Sequence, residues 1–222
     1  MSAIFRAALL MICLSLYAGA QNRSLALYAG KAAGLEPTAV VAARQELQRL
    51  LASTDITLIW KDLEARKSGE AFDQVAVVVF DGPCSENDPA LLPRRPMDSE
   101  VSLADSSVSN GAVLPFFRVD CGYLAQMLAP SLRPLSPKAQ DEMFGRALGR
   151  IMAHELYHIV GETTSHQSRG VAKASFSLQD LLRDTLDFDL ASLVQMRPPV
   201  LVAHSADTLA ATSSEPEELL ER

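Results

Sequence analysis

The chain has 222 residues, 48% hydrophobic and 21% charged, a globular balance rather than a disordered one. Its 20 Lys+Arg against 27 Asp+Glu give a net charge of −7 with no basic run, which excludes nucleic-acid binding by clustered cations. Of its 4 histidines, all but His204 fall in one short stretch, as His154, His158 and His166.

Arg6 precedes an uncharged stretch from Ala7 to Ala20. At about 14 residues this is shorter than the roughly 20 that span a bilayer. Ala18-Gly19-Ala20 is a small-x-small cleavage site, so residues 1–20 are predicted to be a secretory signal peptide. The mature chain is then secreted or periplasmic, without a membrane span. It keeps two cysteines, Cys84 and Cys121, which in an oxidising compartment pair as a disulfide or, alternatively, remain two buried thiols.

In chain order, Arg23 to Tyr28 reads as a short strand, and Glu36-Pro37 opens a helix running to about Ala52. Val40, Val41, Leu47, Leu50 and Leu51 recur there at helical spacing, with Arg44, Glu46 and Arg49 at exposed positions. Ile56 to Trp60 is a strand, and the apolar run Val75 to Phe80 fits a strand buried on both faces. Ser85 to Pro96 is an irregular loop rich in Pro, Asp, Asn and Arg. A hairpin follows: a polar edge strand from Glu100 to Val108, the turn Ser109-Asn110-Gly111, and a more apolar arm from Val113 to Asp120. Pro115 breaks the hydrogen-bond ladder of that second arm.

A short helix covers Gly122 to Ala129, and Ser136-Pro137 starts a long one, the hydroxyl as cap and the proline in the first turn. Its apolar pattern runs through Phe144, Leu148, Ile151 and Ile159 until Gly161 stops it. A further helix is predicted from Leu178 to Gln195, ended by Pro198-Pro199. Residues 21–200 make one domain, and residues 201–222 a disordered acidic tail.

His154-Glu155-Leu156-Tyr157-His158 lies within the long helix. Residues four apart share a helical face, so both imidazoles reach one metal ion, while Glu155, one residue round, reaches a water on that metal without ligating. This is the chemistry of zinc peptide hydrolysis: the metal acidifies the water and polarises the scissile carbonyl, and a carboxylate carries the proton to the leaving amine. His166 is the candidate third ligand, brought back by a turn at Gly161. The competing set is Asp180, Asp184 or Asp187 on the next helix.

The run His154-Glu155-Leu-Tyr-His158-Ile-Val-Gly161-Glu-Thr-Thr-Ser-His166 resembles the metzincin zinc metallopeptidases, with the third histidine two residues later than in their usual pattern. That spacing, with His166-Gln-Ser-Arg-Gly170-Val171-Ala172 and the upstream Val113 to Cys121, is similar to a group of exported bacterial metzincin-like proteins. Ala172 stands where that group has the Met of its Met-turn, Met196 offers a displaced one, and Tyr157 replaces the Gly of many relatives. The resemblance implies an α/β sandwich with a twisted, mostly parallel sheet, an antiparallel edge strand bordering the cleft, a backing helix and an active-site helix. It implies a monomeric exported peptidase acting on peptide or protein substrates, with Zn2+ on His154, His158 and His166 and Glu155 as general base. The change to Ala172 leaves a second reading, an inactive zinc-binding domain that works by binding partners.

Overall fold

The computed structural model describes residues 22–85 and 102–197. The predicted signal peptide, most of the predicted loop from Ser85 to Pro96, the first residues of the predicted edge strand, Pro198-Pro199 and the predicted acidic tail lie outside the described residues. The elements are β1 (Arg23–Ala29), α1 (Pro37–Leu51), β2 (Ile56–Asp62), β3 (Gln74–Asp81), β4 (Ala104–Ser109), β5 (Ala112–Asp120), α2 (Cys121–Leu132), α3 (Pro137–Val160), α4 (Leu178–Leu182) and α5 (Leu190–Gln195).

The strands form one sheet in the order β2-β1-β3-β5-β4. Its first four strands are parallel, and only β4, the edge, runs antiparallel to β5. The chain is therefore an α/β protein with a mostly parallel sheet. Parallel neighbours need long crossovers, and α1 supplies the one between β1 and β2. The β4–β5 hairpin turns at Asn110 and Gly111, both at positive φ (50° and 79°), as tight hairpin turns require. A register shift between Ser106 and Val108 falls opposite Pro115, whose missing N–H leaves a gap in the ladder.

Alternation along β3 sends Ala76 and Val78 into the core and leaves Val75 and Val79 exposed. The expectation of a strand buried on both faces is corrected here, because the helices cluster with only one of its faces. Long helix α3 packs along α1 at two glycines: a Cβ on Gly149 would stand 2.8 Å from the Ala43 carbonyl oxygen, and one on Gly145 would collide with that of Ala39. This close approach buries Leu47, Leu50, Leu148, Ile151 and Met152. Cys84, just beyond β3, forms a disulfide with Cys121, the first residue of α2, with Cα atoms 4.7 Å apart.

Three local expectations also change. Glu46 is only 6% exposed, because it pairs with the fully buried Arg150 of α3. Ser136 precedes α3 without a side-chain capping bond. The predicted helix from Leu178 to Gln195 is two short ones, α4 and α5, with an irregular segment between them. Two unread caps account for the break: Ser177 and Asp180 form a capping box on α4, and Asp189 caps α5 by accepting from Ser192.

Candidate metal centre

The last two turns of α3 are buried throughout, which is unusual for a stretch containing two histidines and a glutamate. Each of those polar groups has a partner. His154 Nδ1 lies 2.8 Å from the carbonyl oxygen of Val171, and His158 Nδ1 2.7 Å from that of Thr163. A carbonyl only accepts, so each Nδ1 carries the hydrogen and each neutral ring turns a bare Nε2 lone pair outward.

Those two Nε2 atoms are 3.1 Å apart. Two lone pairs at that distance repel unless a cation lies between them. A proton is disfavoured on His154: burial drives its pKa down to about 4, the Val171 carbonyl opposes this, and His158 and His166 add to the lowering. Burial also lowers His158, against the opposing Thr163 carbonyl. The pair disfavours a proton and leaves two lone pairs facing one another, a geometry that could hold a metal ion.

His166 completes the cluster from outside. Its ring stacks beside His154 at 5.2 Å and meets His158 edge-on at 4.8 Å between centroids. The three imidazoles place one ligand atom each within 4.8 Å of one another, with His154 and His158 buried and His166 exposed, so they could hold a metal ion. The chain reverses after α3 because Glu162, not Gly161, takes the left-handed conformation, at φ 47°. Gly161 contributes space instead: a Cβ there would stand 2.8 Å from the Tyr157 carbonyl oxygen.

The aspartates weighed as alternatives are engaged elsewhere or exposed. Asp180 caps α4 and pairs with Lys173, Asp187 pairs with Arg49, and Asp184 is exposed. None joins the histidine cluster among the described residues. Tyr157 is fully buried and its hydroxyl accepts from Gln167 Nε2 at 3.0 Å, a packing role rather than a cleft one. Met196 is buried in the core, while Val171 and Ala172 form the segment against His154.

Glu155 is 3% exposed and opens onto the same cleft. Burial raises its carboxyl to about 7, partly offset by a hydrogen bond from Ser106, with nearby Asp105 raising it further. Ser106 comes from the polar edge strand, and the alternation Ala104, Ser106 turns it inward. Sequence reasoning passed over Ser106, although that two-residue alternation was its signal. It also passed over Phe176, whose ring meets His154 edge-on at 5.5 Å, and nothing local marked that residue.

The cleft, about 260 Å³, runs between β4 and the 163–166 turn. A larger cavity of about 500 Å³ adjoins it, sharing His154 and Glu155 and walled by Leu103, Tyr123, Met127, Ile151 and Phe176. No helix among the described residues is long and apolar enough to cross a membrane. The chain matches no family model, no curated protein and no solved structure.

Proposed function

We propose that this chain is an exported zinc-dependent peptidase of metzincin type. The observation that carries the reading is the pair of Nε2 lone pairs 3.1 Å apart, with a third imidazole beside them and a buried glutamate on the next residue. Two imidazole nitrogens bound to one zinc ion at about 2.0–2.1 Å in a tetrahedral shell stand about 3.3 Å apart, close to that spacing. His154, His158 and His166 would hold Zn2+, leaving a fourth position open. Once bound, zinc supplies Lewis-acid polarisation of a carbonyl and acidification of a water.

The protein's own groups do the rest. Ser106 fixes Glu155 Oε2 from 2.6 Å and leaves Oε1 to take the proton of the attacking water. Glu155 then returns that proton to the leaving amine. Among the described residues no strand pairs with the outer side of edge strand β4, where an extended peptide can add by backbone hydrogen bonds. The Cys84–Cys121 disulfide is compatible with an oxidising compartment, the setting that a signal peptide would deliver.

One observation favours a second reading, a zinc-binding domain that binds partners without cleaving. Ala172, fully buried beside His154, stands where the resembled group carries methionine. Metal analysis and a peptide library separate the two. The peptidase reading expects about one equivalent of zinc and hydrolysis that Glu155→Ala abolishes while zinc is retained. Bound zinc without hydrolysis of any library member supports the binding module. A folded chain that takes up no zinc sinks both.

A further inference from the structure

The most buried charge among the described residues sits one turn before His154. Arg150 is 0% exposed, and each of its three guanidinium nitrogens donates to the protein. Its Nε donates to Glu46 Oε1 over 2.8 Å. Its Nη1 donates to the carbonyls of Asp180, Leu181 and Arg183 over 2.8, 3.1 and 2.8 Å, and its Nη2 to that of Asp184 over 3.2 Å. The Asp180 and Leu181 carbonyls belong to the last turn of α4, where helix geometry leaves them unpaired, and those of Arg183 and Asp184 follow it, so Arg150 acts as a buried cap.

Glu46 holds a second arginine. Arg49 donates to Glu46 over 2.8 and 3.0 Å, pairs with the Asp187 carboxylate and donates to the Leu186 carbonyl over 2.8 Å. One carboxylate on α1 thus aligns two guanidinium groups along the whole 180–187 segment. That segment then touches the metal centre. The Asp187 carbonyl accepts from Val171 N over 3.1 Å, and the Val171 carbonyl accepts from His154 Nδ1 over 2.8 Å. Gly170 keeps the two strands of chain this close, since a Cβ there would stand 2.5 Å from the Asp187 carbonyl oxygen.

We propose that Arg150 and Arg49, aligned by Glu46, are positioning residues for His154. They fix the 180–187 segment, which fixes the Val171 carbonyl, which holds the His154 ring in the Nδ1–H form with Nε2 presented to the metal. The segment at Ala172 has no methionine to pack beneath the histidines, and this ionic clamp supplies the rigidity from behind. The inference rests on the metal-binding reading above. Partners that orient a ligating histidine through its second ring nitrogen typically change metal affinity by about 10–100-fold when removed.

The test measures zinc affinity of the full chain by competition with a chromophoric chelator, with circular dichroism of the metal-free protein as the fold control. Arg150→Lys keeps a charge for Glu46 but loses the fork, and is expected to weaken zinc binding by about 10–100-fold in folded protein. Arg49→Met, at the surface end of the clamp, is expected to weaken it about three- to tenfold, and it decides alone if Arg150→Lys does not fold. Phe144→Leu, a core substitution outside this chain of contacts, is expected to destabilise the protein and keep wild-type affinity. Folded variants within twofold of wild type overturn the inference, as does an equal loss in Phe144→Leu. A folded wild type without zinc affinity overturns the metal reading itself.

Discussion

Ser106 of β4 donates its hydroxyl hydrogen to Glu155 Oε2 of α3 over 2.6 Å, joining the edge strand to the candidate base. Hydrogen bonds to charged groups contribute about 1.5–3 kcal/mol. Ser106→Ala is therefore expected to lower peptide turnover by about 10–100-fold, the same energy expressed as a rate. Zinc content should not change, because Ser106 touches no histidine of the cluster. Ser106→Thr, which keeps the hydroxyl, should recover most of the rate. Turnover measured beside metal content checks this, and an Ala variant with full turnover counts against a positioning role.

The buried carboxyl of Glu155 also makes the stability of the metal-free protein depend on pH. Its folded pKa of about 7 lies above the ordinary value of 4.5. A raised pKa favours the protonated form, so its contribution is complete below the unfolded value and is lost as pH rises through 7. Glu155→Gln cannot ionise and escapes that loss. In the presence of a chelator, the variant should match wild type near pH 4 and exceed it at pH 8 by up to about 3 kcal/mol. His154, lowered to about 4, works in the opposite sense, gaining stability as pH rises between its two pKa values, and is common to both proteins. Urea unfolding at the two pH values gives the difference, and equal curves at pH 8 would show that Glu155 is not desolvated.

Much of this was readable in the sequence, and the divisions have physical reasons. Local signals located the strands, α1 and α3, because proline in the first turn and 3.6-residue periodicity act within a few residues. The histidine pair followed from the same periodicity. What did not follow is decided at a distance. Glu46 on a helix of alternating polarity looks like a solvent residue until Arg150, 104 positions later, buries it. The long helix ends at Gly161, as its sequence predicts, but Gly161 keeps a helical φ of −82° and the left-handed residue that turns the chain is its neighbour Glu162, which nothing local marks. The break between α4 and α5 was missed for a nearer reason: the apolar spacing continued across two capping residues, and periodicity outweighed caps that the sequence did contain.

The disulfide ties the end of β3 to the start of α2, a separation of 37 residues. On the chain-entropy account, a loop of that size stabilises by roughly 3–4 kcal/mol through the unfolded state. Replacing both cysteines with alanine should therefore lower the unfolding free energy by that much and steepen the urea slope, because the unfolded chain without the crosslink exposes more surface. Zinc affinity of the folded variant should remain, because neither cysteine adjoins the histidines. A variant as stable as wild type would show that native-state contacts around Cys84 and Cys121 suffice without the bond.

The glycines of α3 give a case where two effects oppose and magnitudes choose. In an open helix, Gly→Ala stabilises by about 1 kcal/mol through propensity. At Gly149 the new methyl would stand 2.8 Å from the Ala43 carbonyl oxygen and 3.0 Å from Glu46 Cβ, neither of them the free end of a flexible chain. Overpacking of this kind costs about 1–3 kcal/mol or more, so the steric effect should prevail. Gly149→Ala is expected to destabilise by up to about 2 kcal/mol net, and Gly145→Ala, which meets the Ala39 backbone more closely, by more. Because Gly149 adjoins Arg150, the separated helices should also stretch the Glu46 contact. Thermal and urea unfolding of both variants measure the order. If Gly149→Ala proves more stable than wild type, α1 and α3 do not pack as closely as their backbone contacts require.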